Sequence, residues 1–371
     1  QSLPSAGTGD VTRLSDAALR GYVGPAERPA FDRGQVTAGI LHLGIGAFHR
    51  AHQAVYVDDC LAEAPGWGII GVSLRHPDTW QALVPQDGLY TLCVRTPEGP
   101  RVRIVGSVLQ VLHMEDGPEP VLDHIADPRI QLITITVTEK GYHCGPGGGL
   151  DTDHPDVAAD LTGEPPRSLP GLLARGLARR QSAGGGPLTV VSCDNLPENG
   201  AVLERVVSDA VERVVPEVAD WIAAHVTFPL TMVDRITPAT SDADRDEIAR
   251  LTGLEDAWPV VTEPFSQWVI EDRFAAGRPP LERAGVQIVD DVRPWEMMKL
   301  RLLNGAHSAM AYMGPRLGHA YVSEAAQDAR LTGWLTRMAI EEVMPGLDVP
   351  GADLPGYWED LLTRFRNPAI R

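Results

Sequence analysis

Long apolar runs, paired cysteines and an excess of basic charge are all missing from this sequence. No apolar run approaches the roughly 20 residues of a membrane-spanning helix, which excludes an integral helical membrane protein. The four cysteines, Cys60, Cys93, Cys144 and Cys193, are widely spaced and form no Cys-x-x-Cys pair. That argues against a disulfide framework and a structural zinc site, and leads us to expect a reducing, cytoplasmic setting. Lys and Arg number 32 against 50 Asp and Glu, a net charge of -18. A nucleic-acid partner, whose phosphates reward basic surfaces, is therefore not expected. An anionic membrane surface is no better suited. The opening QSLPSAGTGD is polar and small and lacks the apolar core of a signal peptide. No internal repeat is visible.

What is present is a chain of 371 residues, 43% hydrophobic. That is enough for a real core and too long for one ordinary domain, so two domains are expected. Residues 39–43 (GILHL) read as a short buried strand, followed by a glycine turn and a helical pattern through AHQAVYVDDCLAEA. GIIGVSL at 68–74, QLITITVT at 131–138 and PLTVVSC at 187–193 have strand length and β-branched content. Residues 101–112 alternate partly, as an antiparallel or one-side-exposed strand would. Apolar positions 202, 203, 206, 207, 210, 211, 214 and 215 mark one helix face. Strands alternating with helices predict a parallel sheet. The Gly- and Pro-rich stretch 145–187 reads as loops around one helix. After about Trp295 strand signals stop, and helical patterns cover MMKLRLLNGAHSAMAYMG and the neighbourhoods of 325–345 and 356–365. The expected fold is α/β: a dinucleotide-binding domain of the Rossmann type over 1–294, then a mostly helical domain over 295–371.

Gly44-x-Gly46 follows the first clear strand and opens a helix. Glycines there let the backbone approach a pyrophosphate, and a helix start offers unpaired N–H groups. A plain strand-to-helix turn has the same sequence, but the position in the first βα unit favours a dinucleotide. The acidic residue for the adenine ribose should end the second strand, where Asp78 of LRHPDTW stands. Asp78 also suits a simple turn or N-cap, and Arg75 or His76 could meet a 2′-phosphate instead. NAD is preferred over NADP on this reading.

WEMMKLRLLNGAH sets polar residues in an apolar helix. At about 100° per residue, Glu296, Lys299, Asn304 and His307 stand at roughly 60°, 0°, 140° and 80°, all on one side. Either residue alone, Lys299 or His307, reads as a solvated side chain. Four together inside an apolar helix read as a site, because buried polar groups must pair or do chemistry. A lysine near its ordinary pKa of about 10.4 is a poor base. Burial beside a cationic nicotinamide would bring it into range. No clustered set of Cys, His and Glu ligands is seen, so no metal is expected.

Several stretches in order resemble the mannitol dehydrogenase family, the polyol-specific long-chain dehydrogenases that include fructuronate and tagaturonate reductases. They are GIGAFHRAH (44–52), QDGLYTL (86–92), TVTEKGY (136–142), SCDNLPENG (192–200), FPLTMVDRITP (228–238), EPFSQWVIEDRF (263–274), MMKLRLLNGAH (297–307) and RFRNPAIR (364–371). The resemblance implies Lys299 as general base and Asn195 and Asn304 as donors to the developing alkoxide. It implies that His307 orients the substrate oxygen, Asp234 helps bind the polyol, and Glu296 relays protons. Gly44, Gly46, Phe48, Arg50 and Asp78 are implied as cofactor-binding, with NAD as the cofactor. Two departures stand out. Pro77 precedes Asp78 where relatives can carry a second acidic group. Relatives also run on beyond the position of Arg371, where further basic residues reach the substrate, so the helical domain is expected to be incomplete.

The first functional expectation is interconversion of a polyol and a ketose, mannitol to fructose being the type reaction. A hexuronate reductase (fructuronate to mannonate, or tagaturonate) uses the same lysine chemistry, although the acidic net charge does not favour steering an anion. An inactive nucleotide-binding regulatory protein is the reading of another class, and the intact Lys299, Asn304 and His307 speak against it. The partner expected is a small sugar alcohol or keto sugar. Oligomeric state is not readable, monomers being common in the family resembled.

Overall fold

The computed structural model describes residues 12–368. QSLPSAGTGD and the last three residues of RFRNPAIR lie outside the described residues. Six strands make one all-parallel sheet: β1 (Ala38–Leu43), β2 (Gly68–Ser73), β3 (Val108–His113), β4 (Leu132–Ile135), β5 (Leu188–Ser192) and β6 (Val226–Thr227), in the order β3-β2-β1-β4-β5-β6. The order reverses at β1, so the crevice over the ends of β1 and β4 is the topological switch point where such sheets bind ligands. β1, β2, β4 and β5 are buried at nearly every position. Both faces of a parallel sheet are covered, which is why these runs are continuously apolar rather than alternating.

After β1 the chain forms α1 (Ala47–Ala51) and α2 (Gln53–Cys60). The single helix expected there is broken at His52, whose φ of -123° and ψ of -90° are not helical. His52 Nε2 bonds the Gln267 carbonyl at 2.8 Å, a tertiary contact invisible in local sequence. α3 (Asp78–Leu83) follows β2, and α4 (Glu119–Ala126) follows β3. The stretch 145–187 holds two helices rather than the one expected, Pro155–Leu161 and α5 (Leu169–Ser182). Both start at N-caps, His154 and Ser168, whose side chains accept the orphan N–H of the first turn. α6 (Asn199–Val214) buries Leu203, Val206, Val207, Ala210 and Val211, the face predicted by its periodicity. α4, α5 and α6 cover one face of the sheet.

The alternating stretch 101–112 divides in two. Gly99–Val105 is antiparallel to Tyr90–Thr96, and the rest is β3 in the parallel sheet. A smaller sheet joins Thr231–Asp234 to Gln267–Glu271, with Gln287–Val289 as its third strand. From Arg293 onward the described residues are helices and loops: α7 (Arg293–Met298), a π-helical turn (Lys299–Asn304), α8 (Gly305–Met313), α9 (Ala329–Arg337) and α10 (Leu354–Arg366). Their core is shared with Met232 and Val269 of the small sheet and with Leu230 just before it, so the helices pack directly on the strands that carry Asp234. Among the described residues no helix is long and apolar enough to cross a membrane.

Candidate active site

A groove runs over the carboxyl ends of the parallel strands. Its two halves share Gly44, Gly46 and Thr136. One half is lined by Phe48, Asn195, Asp234, Lys299 and Asn304, the other by Arg75, His76, Thr79, His143 and Arg167.

The two glycines do different work. Gly44 has φ +95°, and a Cβ on it would sit 2.0 Å from the Thr136 carbonyl oxygen. Only glycine fits where β1 turns against the end of β4. A Cβ on Gly46 would meet nothing nearer than the Gly44 oxygen at 3.9 Å. Gly46 therefore leaves open space facing the groove, where Ala47 and Phe48 of the first turn also line it. The N–H groups of that turn have no intrahelical acceptor. Open backbone beside unserved donors fits a phosphate-containing ligand. α1 has only five residues, so its dipole adds little.

Lys299 is 8% exposed. Its Nζ donates to Asn195 Oδ1 at 2.9 Å and to the Val233 carbonyl at 2.7 Å. Burial, the largest cause, pulls its pKa below the ordinary lysine value, and the Arg364 charge pushes it the same way against Asp234 and Glu296. Asn304 lines the cleft with Lys299 for a reason that α-helical geometry hides. The chain between them is a π-helical turn, in which the Gly305 N–H reaches the Leu300 carbonyl, five residues back. That wider turn brings residue 304 toward the face of residue 299.

His307 departs from the expectation that it lines the site with Lys299. His307 is exposed, lines neither half of the groove, and sets its ring 6.3 Å from that of Phe365. Glu296 is half-buried in an adjoining cleft with Lys299, Asn195 and Asn304. It accepts the Glu198 N–H at 3.2 Å. Burial raises its pKa to about 7.

Asp234 ends the strand beside Lys299, and both its oxygens accept from Arg364, at 2.7 and 3.0 Å. Arg364 also holds Glu263 through two bonds, at 2.8 and 3.0 Å, and lies over the Phe265 ring. Asp234, Glu263 and Arg364 are all buried. No role was expected for Arg364 or Glu263. Their only signal was membership of the matching stretches, since the contacts join residues 101 and 130 positions apart.

Phe48 lines the lysine half of the groove, its ring 5.0 Å from that of His52. Arg50 departs from its expected place at the cofactor. It is 3% exposed, donates to the Trp258 carbonyl and stacks on Tyr90, so its side chain points into the core. Asp78 is exposed at the first residue of α3 and does not line the groove, whereas Arg75, His76 and Thr79 do. Against the expectation of no donor cluster, His143, His154 and Asp156 come together.

Two family models match the chain: the mannitol dehydrogenase Rossmann domain over residues 38–283 and the mannitol dehydrogenase C-terminal domain over 291–371. Mannitol 2-dehydrogenase of Pyrenophora tritici-repentis is 46% identical over 354 residues, covering 92% of this chain and 62% of that protein. Mannitol 2-dehydrogenase of Phaeosphaeria nodorum is 44% identical, again at 92% and 62%. The chain thus spans less than two thirds of the length of these two relatives. A D-sorbitol dehydrogenase crystal structure superposes with a TM-score of 0.93 at 39% identity, covering 97% of this chain and 76% of that one. Pseudomonas fluorescens mannitol 2-dehydrogenase, solved as a ternary complex with NAD and D-mannitol, superposes with a TM-score of 0.86 at 40% identity, covering 97% and 75%.

Proposed function

The chain belongs to the mannitol dehydrogenase family, and from that premise we propose that it interconverts a polyol and a ketose with NAD, using Lys299 as the proton-transferring group. NAD, when bound, supplies the hydride acceptor. Gly46, Ala47 and Phe48 would hold it along the groove.

The chain's own part is proton and charge management. Lys299 takes the hydroxyl proton in oxidation and returns it to the carbonyl oxygen in reduction. Its two acceptors, Asn195 and the Val233 carbonyl, fix the nitrogen and leave its remaining position for substrate. The Nδ2 groups of Asn195 and Asn304 donate to the oxygen as negative charge develops there. Glu296, with a pKa near 7, exchanges protons between this cleft and water. No step in this scheme calls for a metal ion.

The observation that carries the reading is the buried Lys299 bonded to Asn195 in a cleft that continues into the glycine-turn groove. The polyol names of its relatives favour a neutral sugar alcohol over a uronate. Lys299→Ala should lower kcat by about 10²- to 10⁴-fold, the worth of a general base. NAD binding should stay near wild type, and primary amines should restore part of the activity. A variant that keeps most of its kcat would sink the scheme. NADH oxidation with fructose, fructuronate and tagaturonate in parallel assigns the substrate.

A further inference from the structure

His143, His154 and Asp156 each offer one ligand atom, and these atoms all lie within 4.8 Å of one another. The two imidazole rings are 4.3 Å apart at 64°, and His154 Nδ1 stands 3.9 Å from Asp156 Oδ2. We propose that these three side chains bind a transition-metal ion of the zinc class, at the end of the groove away from Lys299.

A second observation points the same way. His143 is 5% exposed, yet its Nδ1 is buried without a hydrogen-bond partner among the described residues. A buried polar atom left unpaired is costly, and such exceptions call for a ligand or ion.

The donor set fits the ion. Two imidazoles and a carboxylate are zinc and copper ligands, whereas magnesium and calcium take oxygen donors. Tetrahedral zinc bonds of about 2.0–2.2 Å place ligand atoms about 3.4 Å apart. Closing the site needs shifts of about 1 Å, which the His154 and Asp156 side chains, each 38% exposed, reach by rotation. Three protein ligands leave a fourth position for water. None of the three lines the lysine cleft, so the site is separate from the proton chemistry.

The test is calorimetric titration of the whole chain with zinc chloride, with magnesium chloride as control. We expect one zinc per chain and no magnesium heat. His154→Asn keeps an N-cap side chain for the following helix while removing the imidazole. It should bind zinc at least tenfold more weakly with an unchanged Tm in zinc-free buffer. His143→Asn, which tolerates the left-handed backbone at φ +51°, should show the same loss. Wild-type protein that binds no zinc, or variants that bind it as tightly as wild type, would overturn the assignment.

Discussion

The two ends of the groove are built to different standards. At the lysine end a connected set of charged groups is buried and engaged: Lys299 on Asn195 and Val233, Asp234 on Arg364, Arg364 on Glu263. At the other end Arg75, His76 and Asp78 are exposed, at the junction of β2 and α3. The contrast follows from the demands on each end. Proton transfer needs a nitrogen held to within a fraction of an ångström and a lowered pKa, which burial chiefly supplies. Choosing between a ribose hydroxyl and a phosphate needs only the sign of the local charge, which surface side chains provide. Substitutions at the buried end should therefore cost much and act together, and those at the exposed end should cost little and act singly.

The largest effect is expected at Arg364. Removing it leaves Asp234 and Glu263 buried without their cation, and breaking such a cluster costs about 3–5 kcal/mol. Arg364→Leu should lower Tm sharply in thermal unfolding. Arg364→Lys, which keeps the charge but cannot fork onto two carboxylates, should fall between. An Arg364→Leu protein as stable as wild type would show that the buried end is not held by this cluster.

Asn195→Ala comes next, and it reports on catalysis rather than folding. It removes one anchor of Lys299 and, in the proposed scheme, an oxyanion donor. Loss of one such donor costs about 10²- to 10³-fold in kcat. Steady-state kinetics should place the loss in kcat rather than KM. A change in KM alone would make Asn195 a substrate-binding residue only.

This division also explains what could be read from sequence. β1 and the glycine turn were legible because a continuous apolar strand followed by Gly-x-Gly is a local pattern whose physics is local. Lys299 was legible only together with Glu296, Asn304 and His307, as a polar group set in an apolar helix, and its role only through the family resemblance. Three features were not. The break at His52 depends on a carbonyl 215 residues away. The π-helical turn, which brings Asn304 to the cleft, has the same composition as a regular helix. Arg50 sits beside the turn in sequence, but its stem runs into the core to reach Trp258. Contacts of that range leave no periodic trace.

Glu296 stands between the two standards, half-buried, and its effect should be smaller and dependent on pH. Burial raises its folded-state pKa from the ordinary 4.5 to about 7. The folded protein then holds the proton more tightly than the unfolded chain. The stabilisation this provides is complete below about pH 4.5 and is lost as pH rises through about 7. Glu296→Gln, uncharged throughout, should gain Tm relative to wild type as pH goes from 4.5 to 8. It should also flatten any inflection of kcat near pH 7. A Tm difference independent of pH would mean that Glu296 titrates at an ordinary value and is not the proton carrier.

The smallest effect is expected at Asp78, and it tests the exposed end alone. A carboxylate near the adenosine ribose accepts from the 2′-hydroxyl and repels a 2′-phosphate. Asp78 opens α3 but does not line the groove, whereas Arg75, His76 and Thr79 do. Its influence would then be exerted through charge across solvent, where pair energies are about 1 kcal/mol or less. Asp78→Ala should accordingly move the NAD to NADP ratio of kcat/KM toward NADP by about fivefold at most, 1.4 kcal/mol being a factor of ten. The gain should come from NADP, with Arg75 meeting the added phosphate once the repulsion is gone, and Tm should not move. An unchanged ratio would place the selectivity on Arg75, His76 and Thr79, leaving Asp78 as the residue that starts a helix. Arg75→Ala separates these cases, because it should lower NADP use in the Asp78→Ala background and leave NAD use as it was.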